Sequence, residues 1–119
     1  MENPNIIRFD IRDSLALMNI EGDITSYSEP YLDEAYQQIA PKTAIKDLIV
    51  VVQKDAYINS GGISALLQML AEMRKNGQRV GIAGVSDHFA KILKMVGVNK
   101  LAPIYGSLDE ALASMSLSV

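Results

Sequence analysis

The sequence predicts an α/β fold whose mixed β-sheet has a parallel interior and an antiparallel N-terminal edge strand and is covered by about four helices. Three observations lead to this prediction: two strand-like segments open the chain, short aliphatic segments follow them, and segments with apolar residues at helical spacing lie between these. With 119 residues, of which 49% are hydrophobic and 21% charged, the chain has the size and composition of one globular domain, expected to span residues 1–119.

The first two predicted strands form a hairpin. Apolar and charged residues alternate over Ile7–Arg12, which is typical of a strand with one face in water. Asp13 and Ser14 are turn formers, and Leu15–Ile20 follows as a second strand that returns antiparallel to the first. Together these segments predict the antiparallel edge of the sheet.

The rest of the chain predicts helices and strands in alternation. Each predicted helix has apolar residues at positions i, i+3, i+4 and i+7, so each covers the sheet with one face. The helices are expected to begin near Ser28, Ser60, Ser86 and Ser107, and the first three are expected to end at Pro41, Gly77 and Gly97. The remaining strands are expected at Leu48–Val52, Val80–Ala83 and Ile104–Tyr105. The first of these is apolar at every position, as expected of a strand that is covered on both faces.

The composition excludes several classes of function. The net charge is −3, the longest purely aliphatic run is Leu48–Val52, and Met1–Asn5 has neither the basic nor the apolar stretch of a signal peptide. We therefore expect a cytoplasmic protein that binds no nucleic acid and does not insert into a membrane. Cysteine is absent and His88 is the only histidine, so we expect no disulfide, metal site, cofactor or catalytic residue.

The candidate site lies between the buried strand Leu48–Val52 and the helix that follows it. In open α/β sheets, function gathers where strands end at their carboxyl side and helices begin. Tyr57 and Ile58 are apolar and are expected to anchor this loop, and Ser60 is expected at or next to the N-cap of the helix. Two glycines, Gly61 and Gly62, are expected to leave the first helical turn bare, so that the hydroxyl of Ser60 is accessible beside unpaired backbone N–H groups.

Local chemistry leaves the role of Ser60 open. Serine is among the best N-cap residues, and many such serines have no other role. A glycine-rich helix start can also cradle a phosphate. However, Ser60–Gly62 lacks the Lys-Ser/Thr ending of a nucleotide-binding P-loop, and two adjacent glycines are a weak signal.

Several segments recur here in the order and spacing of one known family. They are Glu21–Ile24, Asp47–Val52, Tyr57–Ile63, Leu66 and Leu67, Gly77, Val80–Ala83, Ile92–Gly97 and Ser107–Leu112. In these segments the chain resembles the STAS domain, the fold of bacterial anti-sigma factor antagonists, over nearly its whole length. The resemblance is more specific for fold than for activity, because STAS domains also serve in transporters and signalling assemblies.

The resemblance assigns a role to the loop. In the family, the apolar strand is followed by Asp-Ser-Ser/Ala-Gly, whose first serine is phosphorylated by a partner kinase. Ser60 stands in place of that serine and Gly62 in place of the glycine, while Gly61 stands where the family has a small residue. Asn59 stands where the family usually has aspartate, a change that keeps the capping geometry and removes a negative charge beside the hydroxyl.

The function implied by the resemblance is a phosphorylation switch without catalytic activity of its own. The protein would bind a serine kinase that is also an anti-sigma factor while Ser60 is unphosphorylated, release it once Ser60 is modified, and be restored by a phosphatase. The alternative is a constitutive STAS scaffold subunit of a lipid-transport or stressosome-like complex, for which Asn59 is the best argument.

Further residues are candidates for the partner-binding surface. With Asn59–Gly62, we expect Ser86 and His88 to line the same rim, since they follow the neighbouring strand. His88 also fits an ordinary solvated position in a first helical turn. Asp23, which follows the second strand, is a candidate partner contact and also fits an ordinary acid in an exposed turn.

Overall fold

In the computed structural model of this chain, which describes residues 4–40 and 44–116, five strands form one mixed sheet in which they stand in sequence order. The strands are β1 (Ile6–Arg12), β2 (Leu15–Glu21), β3 (Asp47–Val52), β4 (Arg79–Ala83) and β5 (Ile104–Tyr105). β1 pairs antiparallel with β2, and β2 to β5 run parallel to one another. The predicted parallel interior and antiparallel N-terminal edge are therefore confirmed.

The same part of the chain contains four α-helices, as predicted. They are α1 (Glu29–Ile39), α2 (Ser60–Lys75), α3 (Asp87–Met95) and α4 (Leu108–Ser116). Short 3-10 turns at Ser26–Ser28 and Val98–Lys100 were not predicted. Pro41, the predicted end of the first helix, lies outside the described residues.

The helices divide unequally between the two faces of the sheet. α1, α2 and α3 pack against one face, where alternate strand residues such as Met18, Leu48 and Val50 are fully buried. On the other face, α4 packs against Leu17 and Ile49 and their neighbours. Because a strand presents successive side chains to opposite faces, a strand covered on both sides must be apolar throughout. This explains why β3 is aliphatic at every position from Leu48 to Val52.

A buried polar network joins α1 to the ends of the parallel strands opposite the candidate site. The hydroxyl of Tyr36 donates to Gln78 Oε1 at 2.6 Å and accepts from Asn76 Nδ2 at 2.8 Å. Gln78 Nε2 in turn donates to the carbonyl oxygen of Ile45 at 3.0 Å, so the amide links the segments that enter β3 and β4. Burial raises the pKa of Tyr36 above its ordinary value of 10.0, and the charge of Glu72 acts in the same direction, against the hydrogen bond from Asn76.

We predict that Tyr36→Phe lowers the free energy of unfolding by about 1–3 kcal/mol, because it leaves the buried Gln78 Oε1 without its donor. Tyr31→Phe is the matched control, since Tyr31 is an exposed tyrosine of the same helix. Urea denaturation of both variants measures the difference. Equal stability of the two variants would contradict the role assigned to the network.

We also predict that stability falls as the pH rises above the ordinary pKa of tyrosine. The phenolate of Tyr36 is disfavoured in the folded protein, so between its ordinary pKa and its raised pKa the unfolded chain loses a proton that the folded chain keeps. The stabilisation is therefore present below that range and is lost through it. Urea midpoints measured from about pH 8 to about pH 11 should fall less in Tyr36→Phe than in the wild type.

Candidate functional site

The loop that precedes α2 is fastened to the loop that follows β2. The amide of Ile24 donates to the carbonyl oxygen of Tyr57 at 2.8 Å, and the amide of Asn59 donates to the carbonyl oxygen of Ile24 at 3.2 Å. Ile24 and Ile58 thus form an isolated parallel bridge beyond the ends of β2 and β3, and both side chains are buried. The backbone before Ser60 is therefore held like a strand, although it belongs to a loop.

Asn59, and not Ser60, caps α2. The Oδ1 atom of Asn59 accepts from the amide of Gly62 at 2.8 Å, with the backbone of Asn59 in an extended conformation. Ser60 is the first residue of the helix and is exposed, which confirms the predicted position next to the N-cap. Ser60 is therefore not the N-cap of α2, because that role is taken by its neighbour.

The two glycines do not leave the first turn of α2 bare, as the sequence led us to expect. A Cβ atom on Gly62 would lie 1.9 Å from the carbonyl oxygen of Ile24, and one on Gly61 would lie 2.6 Å from Cβ of Ser26. Their missing side chains make room for the loop after β2, which covers this turn. Gly62 is buried, and its amide is already bonded to Asn59. In the described part of the chain, the amides of Ser60 and Gly61 have no intramolecular acceptor.

Asp23 contributes to the site by holding its backbone. The Oδ1 atom of its exposed carboxylate accepts from the amide of Tyr57 at 2.9 Å. Its carbonyl oxygen accepts from Asn5 Nδ2 at 2.9 Å and from the hydroxyl of Ser28 at 3.2 Å. Asp23 thus connects the loop after β2 to the loop before α2, a contact that its predicted place in a turn did not indicate.

Sequence reasoning missed the surface position of Tyr57. Both predicted anchors hold the loop, but in different ways: the side chain of Ile58 is buried, whereas 56% of Tyr57 is exposed. The ring of Tyr57 packs edge-on against Phe89 with centroids 5.8 Å apart, and Phe89 packs in the same way against His88 at 5.0 Å. These three rings form a continuous aromatic contact from the loop to α3. Tyr57 precedes a buried isoleucine in a segment without periodicity, so no pattern in the sequence indicated that its side chain faces the solvent.

The structure brings the start of α3 to the same edge of the sheet as the Ser60 loop. Ser86 is half-buried and caps α3, because its hydroxyl oxygen accepts from the amide of Phe89 at 3.3 Å. His88 is exposed in the first turn of that helix. The predicted rim residues are therefore linked by contacts, from Asp23 to Tyr57 and from Tyr57 through Phe89 to His88.

At this edge the structure presents the exposed hydroxyl of Ser60 at the positive end of a helix of 16 residues. Within the described residues, no group of three or more Asp, Glu or His side chains is arranged to hold a metal ion. Among the described residues, no helix is both long enough and apolar enough to cross a membrane. A phosphate on Ser60 would lie near the amides of Ser60 and Gly61, where a negative charge is favoured.

We predict that Gly62→Ala lowers the free energy of unfolding by at least about 2 kcal/mol, because the new methyl group would overlap a backbone carbonyl that cannot rotate away. Ser64→Ala, at an exposed position of the same helix, is the control and should change stability by no more than about 0.5 kcal/mol. Thermal and urea denaturation measure both effects. A Gly62→Ala variant as stable as the control would show that the two loops do not need this close approach.

Comparison with known proteins gives consistent matches. The sequence profile of the STAS domain matches residues 7–111 of the chain. An anti-sigma-B factor antagonist of Staphylococcus aureus (strain NCTC 8325 / PS 47) is 22% identical over 90 residues, which make up 76% of this chain and 82% of that protein.

Solved structures share the fold. The Bacillus cell fate determinant SpoIIAA in its phosphorylated form matches with a TM-score of 0.64 at 12% identity, over 92% of this chain and 99% of that chain. The murine anion transporter Slc26a9 matches with a TM-score of 0.76 at 10% identity, over 91% of this chain and 18% of the transporter chain. At these identities the likeness is one of fold.

Proposed function

Because this chain belongs to the STAS domain family, we propose that it is a regulatory binding protein controlled by phosphorylation of Ser60. It binds a serine kinase that also acts as an anti-sigma factor while Ser60 is unmodified, and it releases this partner once Ser60 is phosphorylated. A phosphatase restores the binding form. The protein acts in the cytoplasm and has no catalytic activity of its own.

The observation that carries this proposal is the exposed position of Ser60 directly after a capping residue. Since the side chain of Asn59 satisfies the amide of Gly62, the hydroxyl of Ser60 is not needed for the helix and is accessible to a kinase. The hydrogen bonds that Tyr57 and Asn59 form with Ile24 and Asp23 fix the backbone on the N-terminal side of the serine. A partner therefore binds a preformed loop, and the free-energy cost of ordering the loop on binding is small.

The free energies involved favour an effect of phosphorylation at the interface with the partner over an effect on the isolated domain. A phosphoserine carries a charge of about −1.5 to −2, and the end of the helix stabilises it by roughly 0.3–1 kcal/mol. The isolated domain therefore tolerates the modification. A hundredfold loss of affinity requires only about 2.7 kcal/mol, which one desolvated and unmatched charge at an interface can supply.

Exposed aromatic rings next to Ser60 support a protein-binding surface at this edge. Tyr57, three residues before the serine, is exposed, and so is Tyr27, in the 3-10 turn that packs against the start of α2. Tyrosine is enriched in protein interfaces because it combines a large apolar ring with a polar tip. We include both rings in the partner-binding surface, together with Asp23, Asn59–Gly61, Ser86 and His88. Gly62, which the sequence also placed there, is buried beneath the loop after β2 and is not part of this surface.

Incubation with ATP and a kinase encoded beside the gene for this protein should place one phosphate on Ser60, as mapped by mass spectrometry of peptides. Ser60→Ala should abolish the modification, whereas Ser64→Ala, one turn further along the exposed surface of α2, should retain it. Ser60→Asp should weaken binding of the kinase by about a hundredfold. Absence of phosphate on Ser60 together with unchanged binding by Ser60→Asp would refute the switch.

A constitutive scaffold in a lipid-transport or stressosome-like complex is the second candidate. Asn59 favours it, because this side chain caps α2 without the negative charge that the family usually places beside the serine. The fold shared with one segment of an anion transporter is a second argument. A scaffold would copurify with membrane or high-mass partners in the presence and absence of ATP, and Ser60→Asp would leave that association intact.

A further inference from the structure

The two edges of the sheet differ in how they are protected against pairing with another strand. In the described residues, β5 forms one edge with only two residues and follows directly after Pro103. β1 forms the other edge with seven residues and contains neither proline nor glycine. Short strands, prolines and charged side chains normally protect an edge. β1 has only the last of these, and its charged residues, Arg8, Asp10 and Arg12, include both signs, so they repel only a strand whose charges do not complement them.

The turn between β1 and β2 determines which backbone groups of β1 point outward. Only Asp13 and Ser14 separate the two strands, and Asp13 has a φ of 55°, as two-residue hairpin turns require at their first position. In such a hairpin the residues that flank the turn exchange hydrogen bonds, and bonded and non-bonded pairs alternate from there. Arg8 and Asp10 therefore bond to β2, while the N–H and C=O groups of three residues face the open edge. These residues are Ile7, Phe9 and Ile11.

The sequence of β1 is complementary to itself about Phe9. If two copies of β1 pair antiparallel with Phe9 opposite Phe9, all seven residues find a partner. Arg8 then lies opposite Asp10 of the second copy, and Ile7 lies opposite Ile11 of the second copy. The backbone N–H and C=O groups of Arg8 and Asp10 are already hydrogen-bonded to β2. Across the new ladder these two residues therefore form pairs without backbone hydrogen bonds, in which opposing side chains are closest.

The side chains of β1 are available for this pairing. Arg8 and Asp10 are exposed, and their contacts within the chain, to Glu21 and Arg12, are surface ion pairs that contribute little and can accept a further partner. Ile11 is 45% exposed, and Ile7 and Phe9 are only partly buried against the core. A second copy would cover these apolar side chains and neutralise the charges opposite them.

We propose that the open edge of β1 is a homodimer interface, in which two copies of this chain pair antiparallel about Phe9 and join their sheets into one. The interface has two-fold symmetry, so each ion pair and each isoleucine pair occurs twice. The parallel strands of the two copies run in opposite directions, so the two Ser60 loops emerge at opposite ends of the joined sheet. Each copy therefore keeps its Ser60 loop free for its own partner.

Sedimentation equilibrium of the full chain, at micromolar to submillimolar concentrations, should give a concentration-dependent dimer. Arg8→Asp and Asp10→Arg should each raise the dimer dissociation constant about tenfold or more, because each puts like charges opposite each other twice. An equimolar mixture of the two variants should recover association, since in the heterodimer both acidic side chains of one variant lie opposite arginines of the other. The double variant R8D/D10R should recover it as well.

Proline at position 11 tests the backbone part of the interface. The amide of Ile11 points away from β2, so Ile11→Pro should preserve the β1–β2 hairpin but abolish dimerisation, whereas Ile11→Ala keeps the amide and should remain a dimer. Circular dichroism verifies that each variant is folded. Ser60→Asp should dimerise like the wild type, which separates this interface from the phosphorylation switch.

A wild-type protein that stays monomeric throughout the concentration range would overturn the proposal. A dimer that is unaffected by Arg8→Asp, Asp10→Arg and Ile11→Pro would also overturn it, because the contact would then lie elsewhere on the molecule. Failure of the mixture and of R8D/D10R to recover association, with the single variants folded and monomeric, would overturn the register about Phe9.

Discussion

The close approach of the Ile24 carbonyl to the first turn of α2 is the constraint on which the geometry of the Ser60 loop depends. A side chain at position 62 would collide with this carbonyl, so glycine is required for the contact. The contact brings together two loops that are distant in sequence, and the hydrogen bonds of Ile24 and Asp23 then hold them in register. The position of the serine thus follows from backbone packing, and its own side chain has no part in it.

This arrangement bears on how the proposed phosphorylation of Ser60 would act. The loop is held on one side by buried Ile58 and on the other by the cap from Asn59. A phosphate added to such a held position changes charge far more than shape. A binding partner would therefore sense the modification directly, with no rearrangement carried through the core.

Local sequence patterns were sufficient to predict the fold, since the apolar spacing of four helices and the continuous aliphatic run Leu48–Val52 in β3 reflect burial on one or two faces. The same patterns placed Ser60 next to a helix start. They did not distinguish Asn59 from Ser60 as the cap, because both residue types are good caps and the choice depends on where the helix begins. The covering of Gly61 and Gly62 and the outward direction of Tyr57 arise from contacts between distant segments, which local periodicity does not report.

The unequal distribution of helices over the sheet also has an effect on local stability. One face is held by α1, α2 and α3 together, whereas on the other face, in the described residues, the nine-residue α4 packs over a small cluster around Leu17, Ile49 and Ala83. Few apolar contacts hold this short helix, so we expect it to open at lower free energy than the elements that share the larger core. Transient detachment of α4 would uncover the aliphatic side of β3 while the opposite layer, with its serine-bearing loop, stays assembled. The fold thus contains a less stable part, the α4 layer, and a more stable one formed by the sheet and the other three helices.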